Sequence, residues 1–271
     1  MGNLLASIDY SPASIRALEA SLRLRQLTGD RVVLYHAYQL PKGLPFLSAH
    51  VIEGMEVEAQ RAAQERLRRF LSETLPPTEA RRIRIIIQRE FLTEGLSQQL
   101  RARRYSLLAL GARGESTEDG ERIGFHARHF VYHSSVPLLL TFPKTEVRWQ
   151  RLLFAYEPTF RSSVGLRTLR QIIQKLSLPV VGLPLLKMNP TADRFHKSIL
   201  KATRASHYQP LRWEGSHLVR LLIQAARSYQ ADVIGFYAHP QEVITGMQAL
   251  SEAELEEGAG WLFFPPLSDE G

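Results

Sequence analysis

The sequence predicts an α/β fold made of two tandem, doubly wound parallel-sheet domains. Three observations carry this. Short apolar runs alternate with amphipathic helical stretches from the first residues onward, the pattern of parallel strands joined by crossover helices. A polar break at residues 143–148, PKTEVR, is followed by a restart of the same scheme. The segments ARRYSLLALGA and ARSYQADVIGFYA fall at matching places in the two rounds, as in an internal repeat. The expected domains are therefore 1–145 and 146–271.

The first round opens with a strand over Asn3–Asp9. Ser11-Pro12 then starts a helix, Ser as N-cap and Pro at the first helical position. Ile15, Leu18, Leu22 and Leu24 form its apolar face, and Gly29 stops it. A second strand covers Arg31–Ala37 and an irregular loop Tyr38–His50. A long charged helix follows over Val51–Leu75, buried through Val57, Ala63, Leu67, Phe70 and Leu71 and ended by Pro76-Pro77. A third strand spans Ile83–Gln88. Thr93 is the expected cap of a helix over Glu94–Arg104.

The segment Ser106–Phe142 is the most informative. Leu107–Leu110 suits a buried parallel strand. It stops at Gly111, with Gly114 three residues on and Gly124 after nine more. A helix runs from there to His133, and Val136–Phe142 is another buried strand. Glycines at these positions allow positive φ and close backbone approach to a ligand. A helix starting at Gly124 offers unpaired N–H groups and the positive end of its dipole, a site for phosphate. The alternative is an empty glycine-rich turn.

The spacing Gly-x2-Gly-x9-Gly, the strand VPLLL and Asp9 after the first strand together resemble the universal stress protein family. The resemblance covers both rounds as architecture, with the motifs confined to the first. It implies strand order 3-2-1-4-5 in each domain, with the fifth strands pairing across a pseudo-dimer or homodimer. It implies stress-response binding proteins, many of which hold ATP, rather than enzymes. Carried onto this chain, Asp9 matches the acidic nucleoside contact, Ala37 the backbone position that reads adenine, and Gly111, Gly114 and Gly124 the phosphate loop. Phe125 stands where the family has Ser or Thr. A lost hydroxyl hydrogen bond to a charged group costs about 1.5–3 kcal/mol, and the phenyl ring is placed to block the outer phosphate.

Around the loop, Glu115, Glu118, Asp119 and Glu121 are read as a solvated loop or as carboxylates that a Mg2+ ion bridges to phosphate. Arg113 and Arg122 offset part of their charge, and His126, in the first helical turn, is placed to touch phosphate. His126, His129 and His133 share a helix face and are read as partly exposed residues rather than metal ligands. Ser11 is accounted for by capping, with no histidine placed by the sequence to activate it.

The second round repeats the scheme. Strands are expected over Arg151–Tyr156, Pro179–Leu186, His207–Trp213, Asp232–Tyr237 and Gly260–Phe264, the last ended by Pro265-Pro266. Helices are expected after Ser162-Ser163, with Leu166, Leu169, Ile172 and Leu176 inward, after Asn189-Pro190, and over Leu218–Tyr229. Tyr156-Glu157 stands where the first round has Asp9, and FYAHPQEVITG after Gly235 lacks the paired glycines and a comparable helix start. The second site is read as lost. Trp149, Trp213 and Trp261 are assigned to core packing.

Composition narrows the classes. The chain has 271 residues, a hydrophobic content of 44% and no cysteine, which rules out disulfides, thiol nucleophiles and thiolate zinc sites. Its net charge of +7 is dispersed, without a helix-turn-helix, zinc-finger or RNA-sheet motif. Nucleic acid is therefore not the expected partner, nor is a membrane, and a cytoplasmic location is expected. The reading is a binding protein for ATP or another adenine nucleotide. A nucleotide-free interaction module with a vestigial site is the alternative, and a nucleotide-hydrolysing enzyme a third, disfavoured for want of a general base.

Overall fold

The computed structural model describes residues 2–40, 48–102, 104–114, 117, 121–157, 163–186, 207–208, 211–212, 217–256 and 258–264. The first run of elements is β1 (Asn3–Ser7), α1 (Pro12–Thr28), β2 (Arg31–Tyr38), α2 (Ala49–Thr74), α3 (Pro77–Ala80), β3 (Arg84–Arg89), α4 (Leu92–Ala102), β4 (Leu107–Gly111), α5 (Phe125–His133) and β5 (Leu138–Thr141). The second is β6 (Leu152–Tyr156), α6 (Ser163–Leu176), β7 (Val180–Leu186), β8 (His207–Tyr208), β9 (Leu211–Arg212), α7 (Leu218–Ser228), β10 (Val233–Tyr237), α8 (Gln241–Gln248), α9 (Glu252–Glu256) and β11 (Gly260–Phe263).

The strands order as β3-β2-β1-β4-β5-β11-β10-β6-β7-β8, with β9 also pairing β7. Within each run every pairing is parallel. The first run has the expected order 3-2-1-4-5. The two runs meet at β5 and β11, which pair antiparallel with Leu139 opposite Leu262. The carboxyl ends of β6 and β10 therefore point away from those of β1 and β4. No helix among the described residues is long and apolar enough to cross a membrane.

Alternation of side chains along the strands builds two cores, one on each face of the sheet. Leu5, Tyr35, Leu108 and Leu110 pack with α4, α5, α7 and α8 on one face. Leu4, Ala6, Leu34 and Ala109 pack with α1, α2 and α6 on the other. The first helix follows its sequence signals closely. Ser11 Oγ accepts from the Ser14 amide, Pro12 opens the helix, and Gly29 closes it at φ 71°. Trp149 and Trp261 are buried in the cores, and Trp149 Nε1 donates to Ala20 O at 3.0 Å.

Several expectations are corrected. β1 ends at Ser7, so Asp9 stands two residues past the strand. Thr93 is not a cap: α4 begins at Leu92, and Thr93 Oγ1 donates to the neighbouring Glu94 carboxylate at 2.9 Å. A short helix, α3, forms after Pro76 because Pro77 is prearranged for a first helical position. Of the strand expected over His207–Trp213, the described residues are β8 and β9, which pair with β7 in one register. A helix, α8, does start after Pro240. The helix expected after Asn189-Pro190, along with Ser162, Trp213 and Pro265-Pro266, lies outside the described residues.

Candidate functional site

A cavity of about 310 Å³ opens where β1 and β4 end. It is lined by six of the expected residues, namely Asp9, Gly111, Gly114, Gly124, Phe125 and His126. Ala37, on β2, and Arg113 are not part of its lining. Arg113 contributes a backbone carbonyl instead, which accepts from Ser11 Oγ at 3.1 Å. Sequence reasoning missed Ser14, Leu92, Thr117 and Arg128 in the lining. Thr117 falls inside the glycine motif, so it was the findable one.

The glycines work by lack of bulk rather than by unusual backbone. Among the described residues only Gly29 is a glycine with positive φ, and Gly124 has φ −66°. Of the two freedoms expected of these glycines, the close approach is used and the positive φ is not. A Cβ on Gly111 would lie 2.6 Å from the Ser14 amide nitrogen, one on Gly114 would lie 2.4 Å from Asp9 Oδ2, and one on Gly124 would lie 2.8 Å from Thr117 Oγ1. Gly111 lets β4 pass against the start of α1, and Gly114 leaves room for the Asp9 carboxylate.

Asp9 is fixed by its own chain. Its Oδ1 accepts from the Ser11 amide at 3.0 Å and from Ser11 Oγ at 2.6 Å. The backbone of Asp9 donates to Ser14 Oγ at 3.3 Å. This ties the carboxylate to the N-terminus of α1, where negative charge is favoured.

The loop amides are partly committed. Gly114 N donates to Thr117 Oγ1 at 2.8 Å, and Gly124 N to Ala112 O at 2.8 Å. The start of α5 differs. Gly124 is its N-cap and no side chain caps its first turn, whose residues line the cavity; the N–H groups of such a turn can serve as anion donors. The Phe125 side chain is 63% exposed and lies over His129, ring centroids 6.5 Å apart. It borders the cavity.

His126 Nδ1 is buried and has no hydrogen-bond partner. Burial pulls the His126 pKa below its ordinary value, and the nearby Glu94 and Asp9 carboxylates offset this only in part. Glu121 lines the cavity and is held by Arg128 at 2.8 Å. The acidic residues Glu115, Glu118 and Asp119 lie outside the described residues. Among the described residues no group of three or more metal-ligating side chains converges.

The wall behind the loop comes from the second run. The Arg122 amide donates to Gln248 Oε1 at 3.0 Å, Arg122 Nε to Leu250 O at 3.0 Å, and Gln248 Nε2 to Ile123 O at 3.3 Å. At the matching strand ends of the second run, the small Ser7 and Gly111 give way to Tyr156 and Tyr237, both fully buried. Their rings pack with Phe154 and Phe264 at centroid distances of 5.5–6.2 Å. Aromatic side chains occupy that position.

An open, mostly parallel sheet covered on both faces, with its cavity at the strand ends beside a helix start that no side chain caps, defines an α/β protein of the doubly wound class. The chain belongs to the universal stress protein family: a model of that family matches residues 1–141. Membership places it among stress-response proteins. The fold is shared with a universal stress protein from Archaeoglobus fulgidus, at 16% identity and TM-score 0.65 over 99% of this chain and 98% of that one. It is shared also with a putative universal stress protein from Pseudomonas aeruginosa, at 12% identity and TM-score 0.53 over 98% and 94%. No curated protein matches the sequence.

Proposed function

We infer that this is a cytoplasmic stress-response binding protein whose first run holds an adenine nucleotide, ATP or AMP. The carrying observation is the uncapped first turn of α5, opening on a cavity that Asp9 borders. Phosphate would lie against the α5 amides with His126 beside it, and the Asp9 carboxylate would meet the sugar. Asp9 and Glu121 line the same cavity, so a Mg2+ ion would find two oxygen donors there. The base would extend toward Ala37 at the end of β2.

The second run, 146–271, is read as a diverged copy of 1–145. Its strands β8-β7-β6-β10-β11 repeat the order 3-2-1-4-5, and the β5–β11 seam makes the pair an intramolecular pseudo-dimer. Its role is structural, since it carries aromatic rings at its own strand ends and braces the loop through Arg122. The role of the whole is binding rather than turnover. Ser11, the nearest hydroxyl to Asp9, is taken up in capping α1.

Titration calorimetry with ATP and with AMP, each with and without magnesium, tests this reading. Micromolar to submillimolar binding that weakens in Asp9→Ala is expected, and no heat at millimolar nucleotide rejects it. The second reading, a nucleotide-free interaction module, is favoured by the internal use of the Gly114 and Gly124 amides.

A further inference from the structure

β3 ends the sheet, and among the described residues it pairs only with β2. Its three isoleucines, Ile85, Ile86 and Ile87, are half-buried, whereas all but one residue of β1 and of β4 is buried. Beside this edge runs a groove of about 480 Å³. One wall is α2, through Gln64 and Arg68, and Gln99 of α4 closes the other side. Six residues of β3 offer about 20 Å of strand edge.

Three features indicate what would fit the groove. An edge strand presents unpaired backbone N–H and C=O groups that accept an added strand. Gln99 Oε1 is buried without a hydrogen-bond partner, on a side chain whose Nε2 is spent on Gln88 Oε1 at 3.1 Å. Among the described residues, the charged ones in the lining are Arg68 and Arg84, with no carboxylate. Arg89, at the far end of β3, is by contrast paired with Glu56.

The geometry points to β3 as a docking edge for an extended, acidic peptide segment of a partner protein, added as a further strand between α2 and α4. A second copy of this chain fits less well. Antiparallel β3–β3 pairing would bring together two copies of the same arginine-lined groove, with no carboxylate among the described lining residues to offset Arg68 and Arg84. The arginines that keep a second copy away are complementary to glutamate or aspartate. This inference is independent of the nucleotide site, which lies at the ends of β1 and β4.

The test uses the full chain and a fluorescent heptapeptide of alternating glutamate and valine, with binding read by anisotropy. Three controls go with it: the lysine-valine peptide, the same glutamate peptide N-methylated at alternate residues, and the double variant Arg68→Glu/Arg84→Glu. Expected results are at least tenfold weaker binding in each control, and slowed amide exchange over residues 84–89 on adding the parent peptide. Binding that ignores N-methylation reduces the effect to diffuse charge attraction and overturns the proposal. Equal affinity for the lysine peptide overturns it as well, as does a concentration-dependent dimer that protects residues 84–89 without peptide.

Discussion

Lys175 on α6 reaches across the molecule to Asp30, just before β2, with Nζ 3.1 and 3.2 Å from the two carboxylate oxygens. Asp30 is almost wholly buried and accepts a third hydrogen bond from the Gly2 amide at 2.6 Å. The pair joins the first run of elements to the second on the face opposite α4 and α5.

Replacing Asp30 therefore loosens both the N-terminus and the contact between runs. Burial pushes the Asp30 pKa up, but the Gly2 amide, Lys175 and Thr28 outweigh it and hold it below its ordinary value. A depressed carboxylate contributes stability above its unfolded pKa of about 3.9 and loses it as pH falls through the lower folded value. Asp30→Asn is expected to cost about 1–3 kcal/mol at pH 7. The gap from the parent should shrink in urea melts below about pH 4.

Gly111→Ala is expected to destabilise the fold by about 1–3 kcal/mol, as overpacking does. The new methyl meets the backbone of Ala13 and Ser14, which cannot step aside as a flexible side chain can. Urea denaturation measures the loss. An unchanged midpoint would mean that α1 and β4 are not so close.

Phe125→Ser should leave stability within about 0.5 kcal/mol of the parent, as for most exposed positions. It supplies a hydroxyl at the first turn of α5, where a bond to a charged phosphate adds about 1.5–3 kcal/mol. ATP binding should tighten about tenfold or more by calorimetry. Binding that appears only in the variant would identify the natural site as vestigial.

His126 sets a pH dependence. Its folded pKa is lowered by burial, so the unfolded chain takes up the proton first as pH falls through about 6.5. Stability should decline from pH 7.5 to 5.5, and less steeply in His126→Gln. His129, lowered by burial and by His133, adds to the same slope. Nucleotide affinity should move the opposite way, rising toward pH 6 as an imidazolium forms beside phosphate. Urea melts and calorimetry at matched pH separate the two effects.

Strong local signals were legible in the sequence. The Ser11-Pro12 cap, the Gly29 stop, the apolar runs and the Gly111–Gly124 spacing each rest on one residue type doing one physical task nearby. What was not legible depends on distance or on weak local signals. The Asp30–Lys175 pair joins residues 145 positions apart. α3 and α9 have four and five residues, too short for a periodic apolar face. The turn of the Phe125 ring toward His129 reflects helix geometry, which spacing alone does not reveal. The helix start at Gly124 was predictable because it needs no particular side chain, whereas whether Ala37 and Arg113 reach the cavity depends on how distant segments pack.

The antiparallel seam between β5 and β11 has a consequence for how this protein responds to its surroundings. Two separate chains joined along such strands would part on dilution, and their pairing would track how much protein the cell makes. Here both strands belong to one polypeptide, so each meets the other at an effective concentration fixed by the connecting chain. The pairing of these two strands is therefore insensitive to expression level.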